Sequence, residues 1–236
     1  MKDRYPNFIH NKKSRFFSSA REIVFGVEDG IISTLGVITG IAIATNDLFL
    51  VIVAGLVVIS VESVSMGIGA YLSSQSVNEL DDKIISEEKI EVHESMDTEK
   101  EELRNLYYQD GWPRDLADQM TEAASRDENL MLREMEYREL GILPERDGNS
   151  FTKGLVMFLS YIFGGFIPLL AYLIFPISAG VIFSIIFAGI GLFSLGGVIA
   201  RYSNVAWWKV GTRILVLGGV STCIGFAVGA LAEMMR

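Results

Sequence analysis

Apolar residues in this chain gather in long unbroken runs, not in the alternation of a half-buried strand. Five runs, roughly 22–45, 48–73, 154–175, 178–200 and 209–232, each reach the length of about 20 residues that a helix needs to cross bilayer hydrocarbon. Only "TNDL" separates the first two runs and only "FPIS" the third and fourth, so each pair is predicted to form a tight helical hairpin. Pro176 suits the end of a helix, and Pro168 is expected to kink the third run. Between the second and third runs the pattern changes. Residues 77–108 are rich in Glu, Lys, Leu and Ile without Gly or Pro, "DGWP" at 110–113 breaks the pattern, and a second helix is expected over about 114–125. A third is predicted from an Asp127 cap to Gly141, with Pro144 beyond. The expected fold is an all-α membrane protein with five transmembrane helices and an inserted three-helix cytosolic domain. Its parts are a tail (1–20), a helical hairpin (21–75), the acidic insert (76–150) and spans three to five (151–236).

Charge sharpens this division. Mean hydropathy is +0.36 and the formal net charge −9, but residues 77–150 hold 22 of the 29 acidic residues and only nine basic ones, a formal −13 against +4 for the remainder. The tail through Arg21 carries six Lys and Arg residues, and the loop between runs four and five carries Arg201 and Lys209, with Arg213 one turn on. The turns at 46–47 and 176–177 carry none. Positive flanks face the cytosol, which places the N-terminus and residues 76–150 there and the C-terminus outside. The basic tail leads straight into a full-length span, unlike a cleavable leader. "WWK" at 207–209 reads as an aromatic anchor at the cytosolic interface. The single cysteine, Cys223, reads as a small buried packing residue. Cys223 forms no intrachain disulfide, and no nucleic-acid partner is expected.

Carboxylates in the apolar runs carry the candidate chemistry, because a charge at bilayer depth costs at least a few kcal/mol. In "VFGVEDGIISTLGVITG", Gly26, Asp29, Ser33, Gly36 and Gly40 share roughly 80° of one helix face. The small residues allow close helix approach, so Asp29 is expected in a protein interface. Glu28 sits about 100° round from it, at the interfacial boundary. In the second run Glu62 and Met66 are one turn apart, with Gly67 and Gly69 beside them. Asp29 and Met66 are expected to face one another across the hairpin. A buried glutamate with no basic residue in its span needs a proton, a metal or a polar pocket.

In the insert, Glu88, Glu91, Glu99 and Glu102 fall at relative angles of about 0°, 300°, 20° and 320° on a continuous helix. Such a stripe either binds a divalent cation, for which carboxylates are suitable donors, or is a solvated acidic face. His93 lies off it. On the third helix Met131 shares a face with both Glu134 and Met135. A thioether beside carboxylates favours a softer cation such as ferrous iron, although methionine also serves as core filler. A di-iron enzyme bundle would supply Glu-x-x-His pairs. His93 follows Ile90 and His10 follows Asn7, so no enzyme is expected.

"FGVEDGIISTLGVITG", "SMGIGAYLSSQS" and the Glu-xx-Glu-x7-Glu-xx-Glu pattern together resemble the vacuolar iron transporter family, over nearly the whole chain from Arg21 onward. The resemblance implies a homodimer of five-span subunits that exports Fe2+ from the cytosol along the dimer interface, in exchange for protons. Mn2+ is the alternative cargo, and no cofactor is implied. By resemblance Asp29 and Met66 are the pathway aspartate and methionine, Glu88, Glu91, Glu99 and Glu102 are metal-binding glutamates, and Glu134 is a further ligand with Met131 beside it. Two departures stand out. Leu130 and Met131 occupy the place of a methionine pair, and the family's second-span glutamate aligns with Val58, one turn from Glu62. The membrane would be the plasma membrane of a prokaryote or the vacuolar membrane of a eukaryote. The competing reading is a membrane-anchored protein that binds or senses divalent metal without transporting it.

Overall fold

The computed structural model describes residues 10–142, 149–203 and 206–234. The basic tail before residue 10 and Pro144 lie outside the described residues. Among the described residues eight helices follow in order: α1 (His10–Thr45), α2 (Leu48–Glu94), α3 (Met96–Gln109), α4 (Arg114–Ala124), α5 (Glu128–Arg138), α6 (Ser150–Ile174), α7 (Ile177–Ser203) and α8 (Trp207–Met234). No strand occurs among the described residues. The chain divides into two compact units, Met1–Leu72 with Gly148–Arg236, and Ser73–Asp147.

In the first unit the predicted turns appear at the predicted places. Asn46 adopts a left-handed φ of 49°, and Asp47 Oδ1 accepts from the backbone N–H groups of Phe49 at 2.9 Å and Leu50 at 3.2 Å, capping α2. Asn149 caps α6 in the same manner through Phe151. Pro168 is buried inside α6. Among the described residues four helices are long and apolar enough to cross a membrane, within Ser19–Thr45, Leu48–Glu94, Ser150–Ile174 and Ile177–Ala200. The fifth apolar run lies in α8, whose apolar stretch among the described residues is the shorter Gly218–Leu231. Cys223 is exposed on α8, which corrects the expectation of a buried packing residue. It sits on a face that includes the exposed Val216, Val220 and Ile224, and apolar surroundings in sequence do not tell a lipid-type surface from a core.

Close backbone approach organises this unit. A Cβ on Gly164 of α6 would lie 2.3 Å from the Val27 carbonyl oxygen, and one on Gly30 of α1 would lie 2.4 Å from the Tyr161 carbonyl oxygen. On another side of α1, Gly36 and Gly40 meet Gly225 and Gly229 of α8. The Gly36-xxx-Gly40 motif is thus used within the chain. Gly164→Val is expected to destabilise the protein by about 3 kcal/mol, the upper end of the overpacking range, because backbone cannot yield as a side chain does. Gly197→Ala, where a Cβ meets nothing within 4 Å, is the control expected to melt like the parent in detergent.

In the second unit, the end of α2 with α3, α4 and α5 surrounds a core of Val92, Leu103, Tyr107, Ala117, Ala124, Met131 and Met135. The predicted third helix begins as expected, with Asp127 accepting from Asn129 N–H, and Gly141 takes a φ of 65° beyond its end. The first predicted helix does not run unbroken. α2 continues from the apolar run to Glu94, and Ser95 (φ −133°, ψ 39°) leaves helical geometry before α3 begins. The reason is local. Ser95 makes no side-chain capping hydrogen bond, but the first turn after it bears Asp97 and Glu99, negative charges that favour a new helix N-terminus.

Candidate metal centre

The break at Ser95 rearranges the acidic stripe. Eleven residues along one helix would separate Glu88 from Glu99 by about 16 Å. Instead the chain turns back, and carboxylate oxygens of Glu88, Glu99 and Glu139 all lie within 4.8 Å of one another. Glu88 is supplied by the last turns of α2, Glu99 by the first turn of α3, and Glu139 by the C-cap position of α5. Glu88 and Glu99 are each only 4% exposed, and Glu139 is exposed. Glu88 Oε1 is buried without a hydrogen-bond partner.

Burial and mutual repulsion act in one direction here. Burial is the larger cause and pushes the Glu88 carboxyl up to about 7, with Glu139, Glu99, Glu91 and Glu102 adding repulsion. Glu99 and Glu139 are raised for the same reasons, burial first. Glu91 and Glu102 are exposed and flank the trio as part of the same negative field. The nearby cations are engaged elsewhere: Lys83 with Glu87, Lys100 with Glu122, Arg104 with Asp118, and Arg138 with Asp110 and Glu134. Three converging oxygens of this kind, with no cation side chain among them, suit a hard or borderline divalent ion.

A stability test follows from these shifts. The fold holds the Glu88 proton up to about 7, whereas the ordinary carboxyl loses it near 4.5. Between those values the unfolded chain releases a proton that the folded chain keeps, so stability falls as pH rises. The metal-free protein is expected to melt higher at pH 5 than at pH 7.5. Added Mn2+ should remove most of that difference by binding the folded state alone. Thermal scans in detergent at both pH values check this.

Of the other predicted ligands, Glu134 is not among the converging carboxylates. Met131 is fully buried in the core. Glu134 accepts from the Tyr107 hydroxyl at 3.0 Å and from Arg138 Nε at 3.0 Å, and the Arg138 guanidinium also stacks 4.3 Å from the Tyr107 ring centroid. This network ties the end of α5 to α3. His93, exposed, pairs with Glu128 at 3.3 Å. The sequence reading missed Glu139. A signal existed: Met131, Met135 and Glu139 follow one another at four-residue spacing, so Glu139 extends the buried methionine face of α5 beyond its helical end.

In the apolar unit Asp29 is half-buried on α1 and accepts from the Ser33 hydroxyl at 3.1 Å. Met66 is half-buried on α2, and Glu62 is exposed on the surface of the single chain, beside Val61, Val64 and Ile68, also exposed. Tyr161 of α6, which the sequence reading did not single out, is fully buried in the same unit.

Long apolar helices with carboxylates among them, joined to a separate acidic unit whose glutamates converge, define a membrane-type protein built to handle cations. The chain belongs to the VIT family, whose model matches residues 20–230. It is 22% identical to vacuolar iron transporter 1 of Arabidopsis thaliana over 95% of this chain and 91% of that protein. It is also 28% identical to vacuolar iron transporter 1 of Oryza sativa subsp. japonica, over 70% of this chain and 66% of that protein. A third relative is the vacuolar iron transporter of Toxoplasma gondii, 24% identical over 91% of this chain and 74% of that protein. Proteins so named are transporters, not enzymes.

Proposed function

We propose that this chain transports a divalent cation, ferrous iron foremost with manganese as the alternative, out of the cytosol in exchange for protons. The carrying observation is the convergence of Glu88, Glu99 and Glu139 within 4.8 Å without a neutralising side chain. Glu91 and Glu102 add negative potential that raises the local cation concentration. In this reading α8 is a fifth span, and the basic flanks put the N-terminus and the acidic unit in the cytosol.

Asp29, Glu62 and Met66 form the membrane part of the route. The carboxylates bind cation when deprotonated and release it when protonated from the far side, and binding stays weak enough for release. Met66 contributes a soft donor. Glu62 stands on an outward face beside Val61 and Ile68, which are 61% and 54% exposed. A carboxylate directed at lipid there is costly, so a second copy of the chain covers this face of α2 and the route runs along the homodimer interface. Glu62, one turn from Val58, takes the place of the glutamate seen at the Val58 position in the family.

Reconstitution separates transport from binding. Proteoliposomes containing the protein should accumulate Fe2+, kept reduced with ascorbate, at a saturable rate that protein-free vesicles lack. Stoichiometric binding in detergent without any accumulation would instead support a membrane-anchored metal-binding protein.

A further inference from the structure

The basic residues of the apolar unit stand without carboxylate partners. In the acidic unit Lys83, Lys100, Arg104 and Arg138 each hold an acid. Among the described residues Arg21, Lys153 and Lys209 form no ion pair. Glu22 follows Arg21, but its Oε2 is buried. Helix register brings the three cations to one level. α1 runs parallel to both α6 and α8: Gly26 and Gly30 meet Met157 and Tyr161, while Gly36 and Gly40 meet Gly225 and Gly229. Four residues back from Gly26 and Met157 stand Glu22 and Lys153, and sixteen back from Gly36 and Gly225 stand Ala20 and Lys209. At about 1.5 Å per residue, Lys153 and Lys209 therefore lie within about one turn of the level of Arg21. The apolar part of α1 begins at that level, at Ser19.

Exposed aromatic rings accompany these cations. Phe151 stands just before Lys153 and is 64% exposed, and Trp207 and Trp208, just before Lys209, are 57% and 54% exposed. The Trp207 ring is held edge-on to Phe193 of α7 at 5.3 Å, and the Lys209 ammonium lies 5.6 Å from the Trp208 ring centroid. α1 continues outward as helix to His10, carrying Lys12, Lys13 and Arg15 and no acid before Glu22. Tryptophan at the end of an apolar helix belongs to the boundary between headgroup and acyl chain, and basic residues at that depth attract anionic lipid. A zwitterionic headgroup brings its own cation and leaves the excess positive charge in place. We propose that Arg21, Lys153 and Lys209, extended along α1 by Lys12, Lys13 and Arg15, form a ring that binds the headgroups of anionic phospholipids. The lipid phosphates take the place of the carboxylates that this unit does not supply.

Tryptophan quenching tests this on the full-length protein. The chain has three tryptophans, and in a Trp112→Phe background Trp207 and Trp208 report alone. The protein is reconstituted in equal parts of phosphatidylcholine and phosphatidylglycerol, with bromine on the acyl chains of one lipid or the other. Bromine carried by phosphatidylglycerol should quench more, corresponding to roughly a fivefold preference at low salt, the order expected of one basic contact. The preference should fall toward one near 1 M salt, where the screening length is about 3 Å. It should also be lost at low salt in the triple variant Arg21→Gln, Lys153→Gln, Lys209→Gln. The variant Lys89→Gln, Arg126→Gln, Arg133→Gln changes net charge equally at exposed sites of the acidic unit and should keep the preference. Equal quenching by the two lipids in the parent overturns the proposal, whether or not the triple variant folds. A preference that survives the triple variant, or is lost equally in the acidic-unit variant, overturns it as well. Loss on adding 5 mM inorganic phosphate at constant ionic strength, about tenfold above a typical weak anion site, would mark a site for soluble anions and not for lipid.

Discussion

Asp29→Asn is expected to lower the initial rate of Fe2+ uptake by proteoliposomes about 100-fold while leaving cation binding at the acidic unit intact. The substitution keeps size and hydrogen-bonding capacity, so the Ser33 hydroxyl at 3.1 Å still finds an oxygen. What disappears is the negative charge. An intramembrane carboxylate interaction amounts to a few kcal/mol, and each 1.4 kcal/mol is a factor of ten. The small-residue face around Asp29 holds α1 in place whether or not the charge is present, because Gly26 and Gly30 meet α6 backbone and side chains directly. Helix assembly and thermal stability should therefore persist. Uptake at the parent rate would remove Asp29 from the route.

Glu139→Gln carries the second large effect. It should weaken Mn2+ binding to the full-length protein in detergent at least tenfold, judged against the about 10–100-fold losses that even outer-shell changes cause at metal sites. It removes one of three converging oxygens and one of the repulsions acting on Glu88. Glu134→Gln is the matched comparison. Glu134 is engaged with Tyr107 and Arg138, so its amide can still accept from Tyr107 and affinity should stay within about twofold of the parent, as for changes outside the ligand set. Equilibrium titration by calorimetry distinguishes the two. Equal losses, or a larger loss in Glu134→Gln, would move the centre back to the residue that the family resemblance implies.

The contrast between Glu134 and Glu139 shows what the sequence could and could not convey. The apolar runs, the short turn at 46–47 and the Asp127 cap were legible because each depends on residues near in sequence. The small face of α1 was legible as a contact surface, but not its partners: Gly36 and Gly40 meet α8, whereas Gly26 and Gly30 meet α6. The Glu88–Glu102 spacing was legible as a cluster and misjudged as a stripe. A helical angle assumes a continuous helix, and the break at Ser95 interrupts it. Glu139 joins through tertiary folding, since its approach to Glu88 depends on α5 packing through Met131 and Met135.

The most direct measurement follows cation and proton together. Vesicles containing the protein and a trapped pH indicator, acidic inside, are exposed to Fe2+ outside. Cation uptake should be matched by a rise in internal pH, and both should vanish in Asp29→Asn. Fe2+ entry with no change in internal pH, or coupled exchange that survives Asp29→Asn, would contradict a route in which these carboxylates trade the ion for protons.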